Sequence, residues 1–85
     1  MLLGSMAQFH YKEYTIVNTG RPSGSAEDPV GFIPVAVITW QATPYKRAVH
    51  FVKFSELRAT AEEARATAAE AAKAWVDNHS LRYER

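Results

Sequence analysis

The sequence predicts an α+β domain in which a three-stranded antiparallel sheet packs on one C-terminal helix, in the order βββα. Three segments rich in β-branched and aromatic residues come first, and clusters of turn-forming residues separate them. A long alanine-rich segment with a helix-start signal follows. A chain of 85 residues has room for one hydrophobic core. Strands followed by a helix therefore favour an α+β arrangement with two layers.

The predicted strands cover Phe9–Val17, Phe32–Gln41 and Tyr45–Phe54. Between the first two strands, Asn18–Gly31 is rich in glycine, proline and serine, which predicts a long mobile loop. Pro34 has no backbone donor, so we expect its end of the second strand to lie at a sheet edge or a bulge.

The predicted helix covers Thr60–Asn78. Thr60 and Glu63 form a T-x-x-E capping box, in which each side chain accepts a hydrogen bond from the other residue's backbone amide. Alanine, the best helix former, dominates the rest of the segment. Apolar residues recur at steps of three and four and predict a stripe that approaches the sheet closely: Ala61, Ala64, Ala68, Ala71, Ala72 and Trp75.

The second predicted strand is apolar on both of its faces. One alternation contains Ile33, Val35 and Val37, and the other contains Phe32, Ala36, Ile38 and Trp40. A strand of this kind is normally covered on both faces, whereas one helix covers a single face. The second face therefore needs a second copy, the long loop or a ligand as cover. We expect a homodimer that uses the sheet surface or an exposed strand edge.

Composition and termini narrow the class of protein. The net charge of +1 argues against a generally basic arm, and no apolar run approaches the ~20 residues of a membrane span. Residues 1–5 precede a second methionine, Met6, and have the composition of a cloning scar. We expect a single domain over residues 6–80, a short tail over residues 81–85, and a cytoplasmic protein without a membrane partner.

Catalytic and metal chemistry have no sequence support. His10, His50 and His79 lack metal-ligand spacing, and the absence of cysteine removes thiolate ligands and a thiol nucleophile. The serines lie outside any G-x-S-x-G elbow. We therefore expect no catalytic residue, no metal and no cofactor, and the protein is predicted not to be an enzyme.

A glycine-rich stretch offers a candidate anion-binding loop. Gly20 and Gly24 would let backbone amides approach a phosphate, and Arg21 would supply positive charge. The lysine and the following helix of a P-loop are missing, so a mobile hairpin connection is the alternative interpretation.

The third predicted strand combines cations with aromatic rings, which is the composition that binds single-stranded nucleic acid. The candidate nucleic-acid-binding residues are Tyr45, Lys46, Arg47, Phe51 and Lys53. Strand alternation puts Tyr45, Arg47, Phe51 and Lys53 on one face. That row suits a nucleic-acid strand if the face is open, and it would serve equally well as the helix-facing side.

Two segments resemble known families. Arg47–Phe54 resembles the RNP1 motif of RNA-recognition motifs, matching it at Arg47, Phe51, Val52 and Phe54, and this resemblance implies binding of single-stranded RNA. Thr60–Asn78 resembles the helix of HicB-like antitoxin domains through its T-x-E-E-A start. That resemblance implies a helix packed on a sheet, a small RNA-cleaving toxin as partner, and dimerisation. The chain as a whole resembles other short proteobacterial proteins.

Taken together, these patterns predict a small non-catalytic interaction module that associates with itself through its sheet. The alternative is a module that binds single-stranded nucleic acid along the third predicted strand. A partner protein other than a second copy of this chain is a further alternative.

Overall fold

The computed structural model describes residues 5–24 and 27–83. Its elements are β1 (Ser5–Tyr11), β2 (Tyr14–Gly24), β3 (Pro29–Thr43), β4 (Lys46–Lys53) and α1 (Ala61–Tyr83). The strands form one antiparallel sheet in the order β1-β2-β3-β4, and α1 packs on one face, mainly over β2 and β3. The α+β class and the C-terminal helix are confirmed, but the prediction of three strands is wrong because the sheet has four.

The extra strand arises because the first predicted strand is a hairpin. Tyr11 pairs with Tyr14, so only Lys12 and Glu13 form the turn. Both turn residues have positive φ angles, 51° and 69°. Two-residue turns of this kind are usually signalled by Asn-Gly or Asp-Gly, and Lys-Glu carries no such signal.

The predicted long loop is also wrong. β2 continues to Gly24 and β3 begins at Pro29, so the connection between the two strands is short. Gly20 lies within β2 and faces the start of α1, where an added Cβ would lie 2.4 Å from the carbonyl oxygen of Ala61. This glycine therefore permits close approach of the helix and does not mark a turn.

Pro34 lies in β3 next to the segment that follows β4, which also pairs with β3 through Phe32 and Arg58. Its carbonyl accepts a hydrogen bond from the Phe54 amide at 3.1 Å, just beyond the end of β4. In an antiparallel ladder, the N–H and C=O of one residue point to the same side of the strand. The side of Pro34 that lacks an N–H donor is therefore the side that faces Phe54. Pro34 is fully buried in β3, which lies between β2 and β4 in the sheet.

The core forms between α1 and the inner rows of β2 and β3. The fully buried apolar residues are Ile16, Pro34, Ala36, Ile38, Ala64, Ala68, Ala72 and Val76. Short alanine side chains let the helix lie close to the sheet, as the predicted stripe requires. The Glu63 amide donates to Thr60 Oγ1 at 3.0 Å, so the predicted N-cap is present. The helix runs beyond its predicted end at Asn78.

Asn18 is a polar residue in this core. It is buried opposite α1, and its Nδ2 donates to the Arg65 carbonyl oxygen at 3.0 Å. The hydrogen bond links the middle of β2 to the first half of the helix. Within the described ranges, α1 does not combine the length and apolarity that a transmembrane helix needs.

Candidate interaction surface on the open sheet face

The sheet has an open face, defined here as the side that points away from α1. Strand alternation puts every second residue there, whereas the intervening residues face the helix. The described side chains of the open face are Gln8 and His10 of β1, Thr15, Val17, Thr19, Arg21 and Ser23 of β2, Ile33, Val35, Val37, Thr39 and Gln41 of β3, and Arg47, Val49, Phe51 and Lys53 of β4.

The centre of the open face is apolar. Val17 pairs with Val37, and Val37 pairs with Phe51, so the three side chains form a row across three strands. Phe51 is 64% exposed, and the neighbouring Val49 is 55% exposed. This is the apolar second face that the sequence predicts for β3, and among the described residues no element of the chain covers it.

The charge on this face has one sign. Its cations are Arg21, Arg47 and Lys53, and its described residues include no aspartate or glutamate. Register places Arg21 opposite Ile33 and Lys53 opposite Val35, near one end of the face. Arg47 lies near the other end, where its guanidinium donates to Gln41 Oε1 at 3.3 Å and to Thr39 Oγ1 at 3.2 Å.

The structure brings most of the candidate nucleic-acid-binding residues together. Arg47, Phe51 and Lys53 form one row on β4 and lie on the open face, so the helix-facing interpretation of this row is wrong. Tyr45 lies in the β3–β4 turn and is 96% exposed. Lys46 is exposed but alternates to the opposite side of β4. The RNP1-like segment, Arg47–Phe54, covers β4 from its second residue onward and the residue after it.

The residues of the candidate anion-binding loop are not arranged as a loop. Gly20 and Arg21 are consecutive in β2, so Gly20 faces α1 while Arg21 is exposed on the open face. Gly24 ends the strand next to a register shift, with φ of 91°. The three residues are spread along one strand, so their backbone amides do not converge on one point.

An aromatic and imidazole cluster lies on the helix side, near the C-terminal half of α1. Trp75 stacks on His50 of β4 and on His79 of α1, with ring centroids 4.2 and 4.5 Å apart. Tyr14 Oη lies 2.8 Å from His79 Nδ1, and Trp40 contacts the same imidazole. In the sequence, His50 and His79 lie far apart and share no motif. The four-residue step from Trp75 to His79 is the one local signal of the cluster.

This cluster is a packed end of the core. Tyr14 is buried, and its ring contacts both Trp40 and Trp75. Each of these rings therefore has another ring as its neighbour. The open face, in contrast, presents the exposed side chains of Arg47, Phe51 and Lys53.

No protein-family model matches the chain, and no significant match was found among curated proteins or solved structures. The geometry of the open face is therefore the basis for a functional hypothesis.

Proposed function

We propose that this protein is a non-catalytic interaction module that forms a homodimer by stacking its open sheet face on that of a second copy. The observation that carries the proposal is the apolar row Val17, Val37 and Phe51 on the sheet face opposite α1, in which Phe51 is exposed and both valines are partly exposed. Antiparallel sheets with a solvated face usually alternate apolar and polar residues. Here the centre of the outward-facing side is also apolar, which favours burial against another protein surface.

The size of the face supports a second copy as its occupant. Four strands spaced about 4.8 Å apart, each contributing about eight residues, make a surface of about 19 by 26 Å, or about 500 Å². Two stacked faces would bury about 1,000 Å² in total, which is the approximate lower bound for a specific interface. Stacked sheets are a standard two-layer packing, with the two inner faces about 10 Å apart.

The positions of the charges are compatible with this arrangement. Arg21 and Lys53 lie towards one end of the face and Arg47 towards the other, so the apolar centre can be buried while the cations stay at the rim. Long basic side chains can keep their charged ends in water while their aliphatic parts are covered.

Sedimentation equilibrium at several concentrations tests the homodimer. We expect a dimer whose dissociation increases at least about tenfold on Val37→Lys, because the lysine places an unpaired charge in the apolar centre. Ala66→Lys, on the exposed side of α1, is the matched control and should leave association unchanged. Circular dichroism must show that both variants are folded. A strictly monomeric wild-type protein at hundreds of micromolar would contradict the proposal.

The exposed row on β4 favours a second candidate function, binding of single-stranded nucleic acid. Arg47 and Lys53 would contact phosphates while Phe51, or Tyr45 in the adjacent turn, stacks on a base. The high exposure of both rings supports this candidate, because a stacking ring needs a free face.

Titration of mixed single-stranded oligonucleotides at several salt concentrations tests this candidate. The affinity should fall steeply with salt, and Arg47→Ala should lower the log–log slope by about one unit if Arg47 contacts one phosphate. Phe51→Ala should weaken binding by about 1–3 kcal/mol if the ring stacks on a base. Lys73→Ala removes a cation from α1 and serves as the control. Lack of binding at low salt would exclude this function.

A further inference from the structure

The outer edge of β4 is a second surface, distinct from the open face. β4 is the last strand of the sheet order, and no described strand pairs with its outer side. The strand runs for eight residues without a proline, and the register shift of the β3–β4 hairpin lies at its turn end. Edge strands in many proteins are blunted by prolines or internal bulges, and β4 has neither.

The orientation of the backbone groups on this edge follows from one hydrogen bond. The Phe54 amide donates to the Pro34 carbonyl, so residue 54 points its backbone groups towards β3. In an antiparallel ladder, alternate residues point their N–H and C=O groups to opposite sides. The even-numbered residues of β4 therefore bond to β3, and the outward-pointing residues are Arg47, Val49, Phe51 and Lys53. Their side chains lie on the open face.

The charge of β4 determines which strand the edge favours. Lys46, Arg47 and Lys53 lie on it, and Pro29–Ser55 contains no aspartate or glutamate. None of these three cations forms an ion pair with a described carboxylate. A β4 strand from a second copy would bring three cations towards three cations, and such charges on an edge oppose self-pairing. An acidic strand would meet complementary charge.

We propose that the outer edge of β4 binds an extended acidic segment of a partner protein, which adds to the sheet as a fifth strand. The outward amides and carbonyls of Arg47, Val49 and Phe51 would hydrogen-bond to the backbone of the segment. Its carboxylates would lie near Arg47 and Lys53, which share the open face. The inference goes beyond the proposed homodimer, since it uses the strand edge and leaves the centre of the open face available.

A synthetic nine-residue peptide in which glutamate and valine alternate is the probe. We expect the amides of Arg47, Val49 and Phe51 to shift in NMR spectra and to exchange with solvent at least about tenfold more slowly when the peptide is bound. The amides of Ala48, His50 and Val52 already bond to β3 and should change little. A peptide with lysine in place of glutamate should bind at least about tenfold more weakly at low salt.

Two substitutions at one position separate edge pairing from other modes of binding. Val49→Pro removes an outward donor without removing a hydrogen bond to β3, and proline is tolerated at such edge positions. We expect it to weaken binding of the acidic peptide at least about tenfold, which is the loss expected for one or more backbone hydrogen bonds. Val49→Thr retains the amide and the β-branched shape, and its affinity should stay within about twofold of the wild type.

Several results would overturn the proposal. The acidic peptide could fail to bind at millimolar concentration, or the lysine peptide could bind with equal affinity. Val49→Pro could also leave the affinity for the acidic peptide unchanged. The same amide shifts with an oligonucleotide alone would assign the edge to nucleic acid. Protection that rises with protein concentration without peptide would assign it to a second copy. Val37→Lys, which targets the homodimer, should leave peptide binding intact, so the two proposals fail separately.

Discussion

Lys12 and Glu13 illustrate how much a single backbone conformation can change a fold. Both have the positive φ angles of a two-residue hairpin turn, a conformation that costs roughly 1–2 kcal/mol for residues with a Cβ. The turn is also held from outside, because Lys12 Nζ lies 2.8 Å from Asp77 Oδ1 and Tyr11 Oη donates to the same oxygen at 2.9 Å. Tertiary contacts here compensate for an unfavourable local sequence.

Replacement of Glu13 by glycine should therefore stabilise the protein. Glycine adopts the observed φ of 69° without a steric penalty, so we expect Glu13→Gly to raise the free energy of unfolding by about 1 kcal/mol. The same change in the middle of the helix, Glu70→Gly, should lower it by about 1 kcal/mol. Chemical denaturation of both variants measures the difference, and a loss of stability in Glu13→Gly would contradict this account of the turn.

Asp77 makes the hairpin contact dependent on pH. Hydrogen bonds from Lys12 and then Tyr11 hold the pKa of its carboxyl below the ordinary value of 3.8. A lowered pKa means that the folded state favours the charged form, so this contribution is present above that value and is lost as pH falls through the folded-state pKa. The hydrogen bond to Asp77 also raises the pKa of Tyr11 above 10.0, so its contribution is lost in strong alkali.

The matching experiment compares the wild type with Asp77→Asn. We expect the wild type to unfold at a higher temperature near neutral pH, and the difference to shrink as pH falls through the lowered folded-state pKa of Asp77, where the carboxyl becomes protonated. A difference that stays constant from neutral to acid pH would show that charge on Asp77 does not contribute. Tyr11→Phe removes the hydroxyl alone and should retain part of the acid dependence through Lys12.

At the scale of elements, the contact between helix and sheet depends on small side chains. Ala68 is fully buried between α1 and the sheet, whereas Ala66, half a turn away, is exposed. Ala68→Leu should lower the free energy of unfolding by about 1–3 kcal/mol, because the larger side chain forces α1 away from β2 and β3. Ala66→Leu should be close to neutral. Equal denaturation midpoints for the two variants would mean that the packed face of α1 is misassigned.

The helix was predictable because its signals are local. A capping box at Thr60 and apolar steps of three and four residues predict both its start and its packed face. The β1–β2 hairpin was not predictable in this way, since Lys12 and Glu13 carry no turn signal, and Gly20 indicates a turn in sequence while serving close packing in the fold. A local sequence pattern predicts the conformation correctly where interactions between neighbouring residues determine it. The pattern fails where contacts with a distant element determine the conformation.

The same distinction applies to the candidate surface. Alternation along β4 predicts that Arg47, Phe51 and Lys53 share a face, but only the position of α1 decides that this face is open. The cluster around Trp75 joins residues from β2, β3, β4 and α1, so its assembly depends on the register of three strands. Its members carry no shared motif by which sequence alone could group them.

At the scale of the whole molecule, the two candidate functions use the same face but depend on different forces. Self-association would depend on burial of apolar area, which any unpaired charge opposes regardless of its sign. Nucleic-acid binding would depend on positive charge along β4, which an added cation strengthens and an added anion weakens. Substitutions of opposite charge at one exposed position therefore distinguish them.

Val49 provides that position, because it lies between Arg47 and Phe51 on the open face and is 55% exposed. If the face stacks on a second copy, Val49→Lys and Val49→Glu should both weaken dimerisation, each by at least about tenfold. If the face binds nucleic acid, Val49→Lys should raise oligonucleotide affinity and steepen its salt dependence by about one unit, while Val49→Glu lowers both. Sedimentation and oligonucleotide titration on the same three proteins measure the two responses. If neither substitution changes dimerisation, the dimer contact lies elsewhere on the molecule. If neither substitution changes oligonucleotide binding, β4 is not the binding site.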